Sequence, residues 1–491
     1  MRKRLTLNSY NSESSTTSSS ISNDDSDKIF GDLISSLPDS IIVHILSFLT
    51  MDQAVATGIL SKRWNYLWTC VPNMVYSHPL WKHPSFTRFA EFINHTLALH
   101  SCLKINSFVV NFNYVSNCYE YFDLWVRFAI RNKAEELRLV LIMNPAEDGR
   151  RRWVKKGSYN YILPPKLYSN SGLRKLELSL CGIAPNSLIS WDSLKSLSLR
   201  YVRLDEYVLY KILLGSPKLE YLELNNFTGI KRLNIRTASV KKLVLRDYYC
   251  DDVGDSDQSE LKISCPNVRA LEIFGSFGGK TCRLTDHPVS LVDANLDFTL
   301  HEICRRYSKF TALLKCQIMV QGLFERLQNA EKLSLGTWVF KAVSKMEKDG
   351  LLGLTLACKS LLLNLSESAD REDLYRIVNV LEISPNLEAL TIIMSSANRP
   401  PFCDWKKRHW YPKLKGSLNC LGQHLKIVRV INYVEKAHES EFLKYLLENA
   451  QMLEEMIVEV SKSGGGGDIS QLKQELLSFP RASNRAMILF S

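Results

Sequence analysis

Between residues 37 and 68 the apolar side chains recur at helical spacing. Ile41, Ile42, Ile45, Leu46 and Leu49 fall along one side of a helix. Pro38 suits its first turn, where no amide donor is needed, and Asp39 favours the positive helix end. Thr50 and Gln53 have the spacing of a capping box, which predicts a second helix carrying Ala54, Val55 and Ile59. Ser61 is placed to cap a third helix that presents Trp64, Leu67 and Trp68. Three helices of this size bury too little surface for a robust core of their own. Their apolar residues must pack either on the following domain or on a partner, and so much apolar surface in so short a segment argues for a partner.

From about residue 105 the pattern changes to a repeat. The template L-x-x-L-x-L fits Ile105-Phe108-Val110, Leu173-Leu176-Leu178, Leu194-Leu197-Leu199, Leu219-Leu222-Leu224, Val240-Leu243-Leu245, Val268-Leu271-Ile273 and Leu387-Leu390-Ile392. Ala134-Leu137-Leu139 and Ala330-Leu333-Leu335 fit with a smaller first residue. Successive starts from Leu173 to Val268 lie 21, 25, 21 and 28 residues apart, the range of leucine-rich repeats. This spacing predicts a solenoid with one short strand per turn, whose alternate apolar residues enter a core shared with neighbouring turns. Phe86, Phe89, Ala90, Ile93 and Leu97 keep helical spacing, as do Phe122, Trp125, Val126 and Ala129, so early returns should be helical. Between Leu224 and Val240, Ile230-Leu233-Ile235 leaves no room for a full helix and predicts an extended or irregular return.

The alternate strand residues should face the concave side in columns: Lys175, Glu177, Ser179; Ser196, Ser198, Arg200; Tyr221, Glu223, Asn225; Lys242, Val244, Arg246; Ala270, Glu272, Phe274. Mixed charge with exposed aromatics suits a protein surface better than a phosphate backbone. Arg200, Tyr221, Glu223, Lys242, Arg246, Glu272 and Phe274 are the candidate target-binding residues. Toward the C-terminus, Leu425-Val428-Val430 and Leu453-Met456-Val458 read as strands, and Glu441 to Ala450 as a helix with Phe442, Leu443, Leu446 and Leu447 inward. After Gly464 to Gly467, Asp468 can cap a last helix carrying Ile469, Leu472 and Leu476. Residues 1–26, rich in Ser, Thr and Asn, have the composition of a disordered tail.

A hydrophobic content of 45% with 23% charged residues is that of an ordinary soluble globular protein. No apolar run reaches the length of a membrane span and no signal-peptide core follows Met1, so the expected location is intracellular, nucleus or cytoplasm. The 12 cysteines include no C-x-x-C pair, which gives no sign of a zinc ribbon or thioredoxin-like site. The net charge of +11 raises nucleic-acid binding, and Arg150 to Lys156 and Trp405 to Trp410 do interleave cations with aromatics. Both lie in segments of loop character, where charge runs are ordinarily solvated, so nucleic acid is not the expected partner. Gly275 to Thr281 approaches a phosphate-binding loop, but that motif requires Gly where Phe274 stands. No catalytic or metal-ligating constellation emerges, and no cofactor or enzymatic activity is expected.

The run Asp32 to Trp68, with Ala54 to Trp68 matching AVATxxLSKRWxxLW, resembles the plant F-box; Thr50-Met51 stands where that motif usually has Pro-Thr. Cys420-Leu421, His424-Leu425-Lys426, Glu441 to Ala450 and Ser478 to Ser483 resemble the FBD domain, with Ser417-Leu418-Asn419 in place of its usual Val-Pro. The whole is similar to the plant F-box/FBD/LRR-repeat family. The resemblance implies a mixed α/β chain: a three-helix F-box at 27–75 after the tail, a helical linker at 76–104, leucine-rich repeats at 105–400 and an α/β FBD cap at 401–491. It further implies docking on a Skp-type adaptor, and through it a cullin, by Leu37, Pro38, Ile41, Ile45, Leu46, Leu49, Val55, Leu60, Trp64, Leu67 and Trp68. The repeats would then hold a target protein for an SCF-type ubiquitin ligase. The alternative is a non-catalytic scaffold or an RNA-associated repeat protein acting outside a ligase.

Overall fold

The computed structural model describes residues 34, 37–78, 85–102, 104–113, 119–142, 161–249, 260–277, 280–299, 309–348, 350, 355–365, 371–394, 418–433, 437–461 and 469–490. The basic clusters at 150–156 and 405–410, the tail 1–26, the glycine run 464–467 and the proposed cap Asp468 lie outside them.

In chain order the strands are β1 (Asn73–Ser77), β2 (Ser107–Asn113), β3 (Glu136–Ile142), β4 (Lys175–Ser179), β5 (Ser196–Arg203), β6 (Tyr221–Thr228), β7 (Arg232–Asn234), β8 (Lys242–Tyr248), β9 (Glu260–Ser264), β10 (Ala270–Gly275), β11 (Thr281–Leu284), β12 (Asp293–Phe298), β13 (Lys332–Gly336), β14 (Ser360–Asn364), β15 (Ala389–Ile393), β16 (Ile427–Tyr433), β17 (Glu455–Val460) and β18 (Met487–Phe490). All but β7, β9 and β11 form one 15-stranded sheet in chain order. Every pairing is parallel, and Leu176, Leu197, Leu222, Leu243 and Leu271 share one register row. These leucines are fully buried, each stabilising the fold by about 1.5–3 kcal/mol.

The returns vary as the periodicity predicts. The helices α3 (Phe86–Leu99) and α4 (Tyr119–Arg131) bury their aromatic and aliphatic faces, including Phe89, Ile93, Phe122 and Trp125. Where Ile230, Leu233 and Ile235 leave no room for a helix, the return is β7, which joins β9 and β11 in a second, 3-stranded parallel sheet. Helical returns resume with Lys309–Phe324, Thr337–Lys348, Arg371–Glu382 and Ala437–Asn449, the last burying Phe442, Leu443, Leu446 and Leu447.

The N-terminal module consists of α1 (Asp39–Leu46), α2 (Met51–Ala56) and two 3-10 segments, Thr57–Ile59 and Trp64–Cys70. The Thr50 amide donates to Gln53 Oε1 at 3.2 Å, the backbone half of the expected capping box. Two expectations are corrected. The third helix is 3-10 in place of α, with the Trp64 amide donating to the Ser61 carbonyl at 3.1 Å. Ile59, expected on the second helix, sits in the 3-10 turn that follows it and is 89% exposed. Ile42, Leu46, Met51, Ala54, Trp64 and Trp68 belong to the same continuous core as the sheet.

Strand exits share an unusual conformation. Leu180, Tyr201, Asn226, Asp247 and Gly275, each one residue past the register row Ser179, Arg200, Asn225, Arg246, Phe274, all have positive φ, from 49° to 80°. A bulge repeated at one register turns each strand toward its return in the same way, so successive turns stay stacked. Non-glycine residues pay steric strain there, whereas Gly275 at φ 80° does not. A Cβ on Gly275 would also stand 2.4 Å from Asp247 Oδ1, which accepts the Ser276 amide at 2.8 Å. The glycine of the phosphate-loop look-alike therefore serves the turn. Gly275→Ala should lower stability by about 1–2 kcal/mol, read as a fall in the thermal midpoint; an unchanged midpoint would show that the bulge tolerates a side chain.

Candidate functional site

Two surfaces qualify as interaction sites. On α1, Ile42 and Leu46 point into the core, while Ile41 and Ile45, on the adjacent stripe, and Phe48, just past the helix end, are exposed. Phe48 is 76% exposed and stacks edge-on with His44 at 5.0 Å. Ile34, Pro38, Leu60, Ile59 and Tyr66 are exposed too. Arg63 fixes the start of α1: its Nε donates to Asp39 Oδ1 at 2.8 Å, and its Nη2 donates to the Leu37 carbonyl.

Of the residues expected to meet the adaptor, the structure presents Pro38, Ile41, Ile45 and Leu60. Leu37, Leu49, Val55 and Leu67 are half-buried against the core. Leu46, Trp64 and Trp68 are buried and tie the module to the solenoid. Sequence reasoning missed Ile34, Phe48, Ile59 and Tyr66. Phe48 was legible, because it follows Ile41 and Ile45 at i+7 and i+3; the single stripe read from the sequence is two stripes, one inward and one outward.

The second surface is the concave face. The candidate residues Arg200, Tyr221, Glu223, Lys242, Arg246, Glu272 and Phe274 come together on β5, β6, β8 and β10 as one connected network. Glu177, 4% exposed, takes Arg138 Nε at 2.7 Å on one side and Arg200 Nη2 at 2.8 Å on the other. Glu223, 8% exposed, accepts the Ser198 hydroxyl at 3.0 Å and the Tyr221 hydroxyl at 3.1 Å, with Arg200 and Arg246 each 3.9 Å away. Lys242 Nζ lies 2.6 Å from Glu272 Oε1, and the Arg246 guanidinium sits 4.4 Å from the centre of the Phe274 ring. Burial, reinforced by the Glu223 charge, raises the Tyr221 pKa far above neutrality and keeps it a hydrogen-bond donor.

Beyond β13 the same face changes character. Leu362, Ile393, Ile427, Ile431, Ile457, Met487 and Leu489 occupy outward positions on β14 to β18 and are partly or largely exposed. The sequence columns stopped at β10 and did not include them. Buried thiols offer no nucleophile: burial pushes Cys265 and Cys316 up to about 12, and Cys358 and Cys420 up to about 11. No group of residues able to hold a metal occurs among the described residues, and no helix among them is long and apolar enough to cross a membrane.

Comparison with known proteins agrees with this two-part layout. The F-box domain model matches residues 34–76, and a repeat-domain model described as At1g61320/AtMIF1, LRR domain, matches residues 96–475. The chain belongs to the F-box/LRR-repeat family. Among its relatives in Arabidopsis thaliana, F-box/LRR-repeat protein At3g03360 is 29% identical over 482 residues, covering 94% of this chain and 91% of the relative. F-box/LRR-repeat protein At5g02910 is 29% identical over 445 residues, 87% of this chain and 88% of the relative. F-box protein At5g03100 is 30% identical over 331 residues, 66% of this chain and 94% of the relative. The repeat-domain match runs on through β16 and β17. There the segment expected to form an FBD cap prolongs the sheet in register.

In this F-box/LRR-repeat protein the concave carboxylates are integral to the fold. Glu177→Ala would leave Arg138 and Arg200 without their buried acid and should cost about 3–5 kcal/mol in a denaturant titration; a loss under about 1 kcal/mol would mean that the guanidiniums are solvated independently of it.

Proposed function

We propose that this protein is the non-catalytic substrate-recognition subunit of an SCF-type cullin-RING ubiquitin ligase. The observation that carries the reading is the division of labour on α1. One stripe is locked into the solenoid core by Ile42 and Leu46, and the neighbouring stripe leaves Ile41 and Ile45 exposed, with Phe48 exposed just past the helix end. Exposed apolar patches of this kind on a stable domain mark protein interfaces. The patch is the proposed seat of a Skp-type adaptor, which joins the chain to a cullin. Because module and solenoid share one core, a target on the concave face would be held at a fixed offset from the adaptor, raising its effective concentration at the conjugating enzyme. The FBD-like segment, in this reading, lengthens the receptor surface by the three turns that carry β16, β17 and β18. The ligase reading places the protein inside the cell, in nucleus or cytoplasm.

The test is a calorimetric titration of a Skp-type adaptor into the full chain. The double variant Ile41→Asp with Ile45→Asp removes two apolar anchors of about 1.5–3 kcal/mol each, so affinity should fall by about a hundredfold or more. The thermal midpoint should hold, since both side chains are already exposed. Wild-type adaptor affinity in that variant, or no adaptor binding by the wild type, would end the ligase reading.

A further inference from the structure

We infer that Arg200, Asn225 and Arg246 form the seat for a single carboxylate of a bound target segment, a reading that rests on the target-binding role proposed above for the concave face. The three residues stand side by side in register on β5, β6 and β8. Two strand spacings separate the arginines, about 10 Å between backbones, within which two long side chains can converge on one group above Asn225.

Hydrogen-bond accounting shows what that group must be. Of the acid oxygens, Glu177 Oε2 accepts Arg138 Nε and Glu223 Oε2 accepts the Ser198 and Tyr221 hydroxyls, while Glu177 Oε1, 2.8 Å from Arg200 Nη2, is enclosed without a hydrogen bond. Asn225 Oδ1 accepts Asn226 Nδ2 at 2.8 Å. Donors remain. Arg246 reaches Glu223 only at 3.9 Å, beyond hydrogen-bond distance, and its ring partner Phe274 engages the flat of the guanidinium, leaving the N–H edge for another acceptor. Arg200 Nε is enclosed without a partner, as is Glu177 Oε1, so Arg200 contributes charge to the seat and Arg246 and Asn225 contribute the free N–H groups. Asn225 retains its amide donors, since its oxygen is the atom already engaged. The donors left facing outward, the Arg246 edge and the Asn225 amide, therefore have no acceptor among their neighbours.

The charge balance agrees. Arg138, Arg200 and Arg246 face Glu177 and Glu223, which leaves one positive charge over, while Lys242 and Glu272 neutralise each other at 2.6 Å. One carboxylate matches that surplus. A phosphate monoester, carrying about −1.5 to −2, would overfill it and set uncompensated negative charge beside two buried acids. Planar two-point recognition of a carboxylate is also what guanidinium edges do best. The acid belongs to a protein segment: Phe274 and Tyr221 flank the seat and offer apolar contact that a free anion would not use.

The variant that discriminates is Asn225→Asp, which installs the missing carboxylate in the seat and keeps the acceptor for Asn226. It should raise the thermal midpoint by relieving the surplus charge and, in the same protein, weaken acidic ligands by at least about tenfold. The probe is a displayed library of random short peptides selected on the full chain, with the selected peptides then synthesised in three forms: as found, with Asp or Glu replaced by its amide, and with phosphoserine in its place. Expected are enrichment of a carboxylate in the wild-type selection, a tenfold or greater loss in the amide form, weaker binding of the phosphoserine form, and loss of the acidic peptides by Asn225→Asp. Arg246→Lys, which keeps the charge and loses the fork, should fall between. Four results would overturn the inference: selected peptides with no acid requirement, a preference for phosphoserine, acidic peptides bound equally by Asn225→Asp, or displacement of the peptides by single-stranded RNA. Adaptor capture by the same samples separates the two readings, because a peptide failure with adaptor still bound sinks the carboxylate seat alone, whereas loss of adaptor capture counts against the ligase role.

Discussion

Because every strand of the main sheet runs the same way, no strand can reach the next by a hairpin; each must be followed by a return across the convex side before pairing can resume. That requirement sets the repeat length, the buried row of leucines and the left-handed bulge shared by β4, β5, β6, β8 and β10. It also explains the mixed returns. A long return folds as a helix, as in α3 and α4, whereas the short one after β6 can only extend, and extended returns pair among themselves as β7, β9 and β11. The second sheet is thus a consequence of spacing in the first.

A parallel stack has two open ends, and an open end exposes apolar core and unpaired backbone. At the N-terminal end α2 and the 3-10 segment Trp64–Cys70 supply Met51, Ala54, Trp64 and Trp68 to the core continuous with β1. The N-terminal module is therefore also the cap of the repeats, with its buried and exposed stripes side by side on α1. At the other end β18 pairs with β17 alone among the described residues, and Met487 and Leu489 remain exposed. Arg481 tightens that end by donating to the Ala486 carbonyl at 2.8 Å, and Ser483 Oγ donates to the Leu453 carbonyl at 2.6 Å. The Ser478 to Ser483 run that resembles the FBD signature so acquires a physical role as a clasp.

Much of this was legible in the residues, and the gaps have physical causes. The leucine template located the strands whose lead residue is large or at least apolar. It passed over β12, where Ala294 takes a leucine position, and β14, where Cys358 leads. It also passed over β1, where Val71, Met74 and Tyr76 fill the ladder beside the helical module. Strand parity, a strict alternation, was enough to bring the seven concave residues together, since parallel register preserves columns. The apolar stretch of the concave face was hidden because strands such as Ile427–Tyr433 carry aliphatic residues on both faces, with Arg429 alone breaking the outward row of Ile427 and Ile431. Periodicity cannot say which side of such a strand is left uncovered. The 3-10 form of Trp64–Cys70 was beyond reach for another reason: both indoles are buried in it, and apolar spacing alone does not separate so short a 3-10 segment from an α turn.

The concave face thus has two chemistries on one rigid scaffold. From β3 to β10 polar side chains are already committed to one another, so a ligand gains little by exchanging one ion pair for another. Discrimination there falls to the few unsatisfied donors. From β14 to β18 aliphatic side chains share the outward rows with Arg429, Glu455 and Glu459, and their apolar contacts are favourable but unselective. A partner long enough to span both would take most of its binding energy from the apolar turns and its register from the charged ones. The sheet holds the two regions at a fixed separation, so ordering them costs nothing at the moment of binding. A segment with an acid at the right distance from its apolar residues would engage both regions at once; one with the acid misplaced would have to leave a guanidinium or an apolar contact unmet.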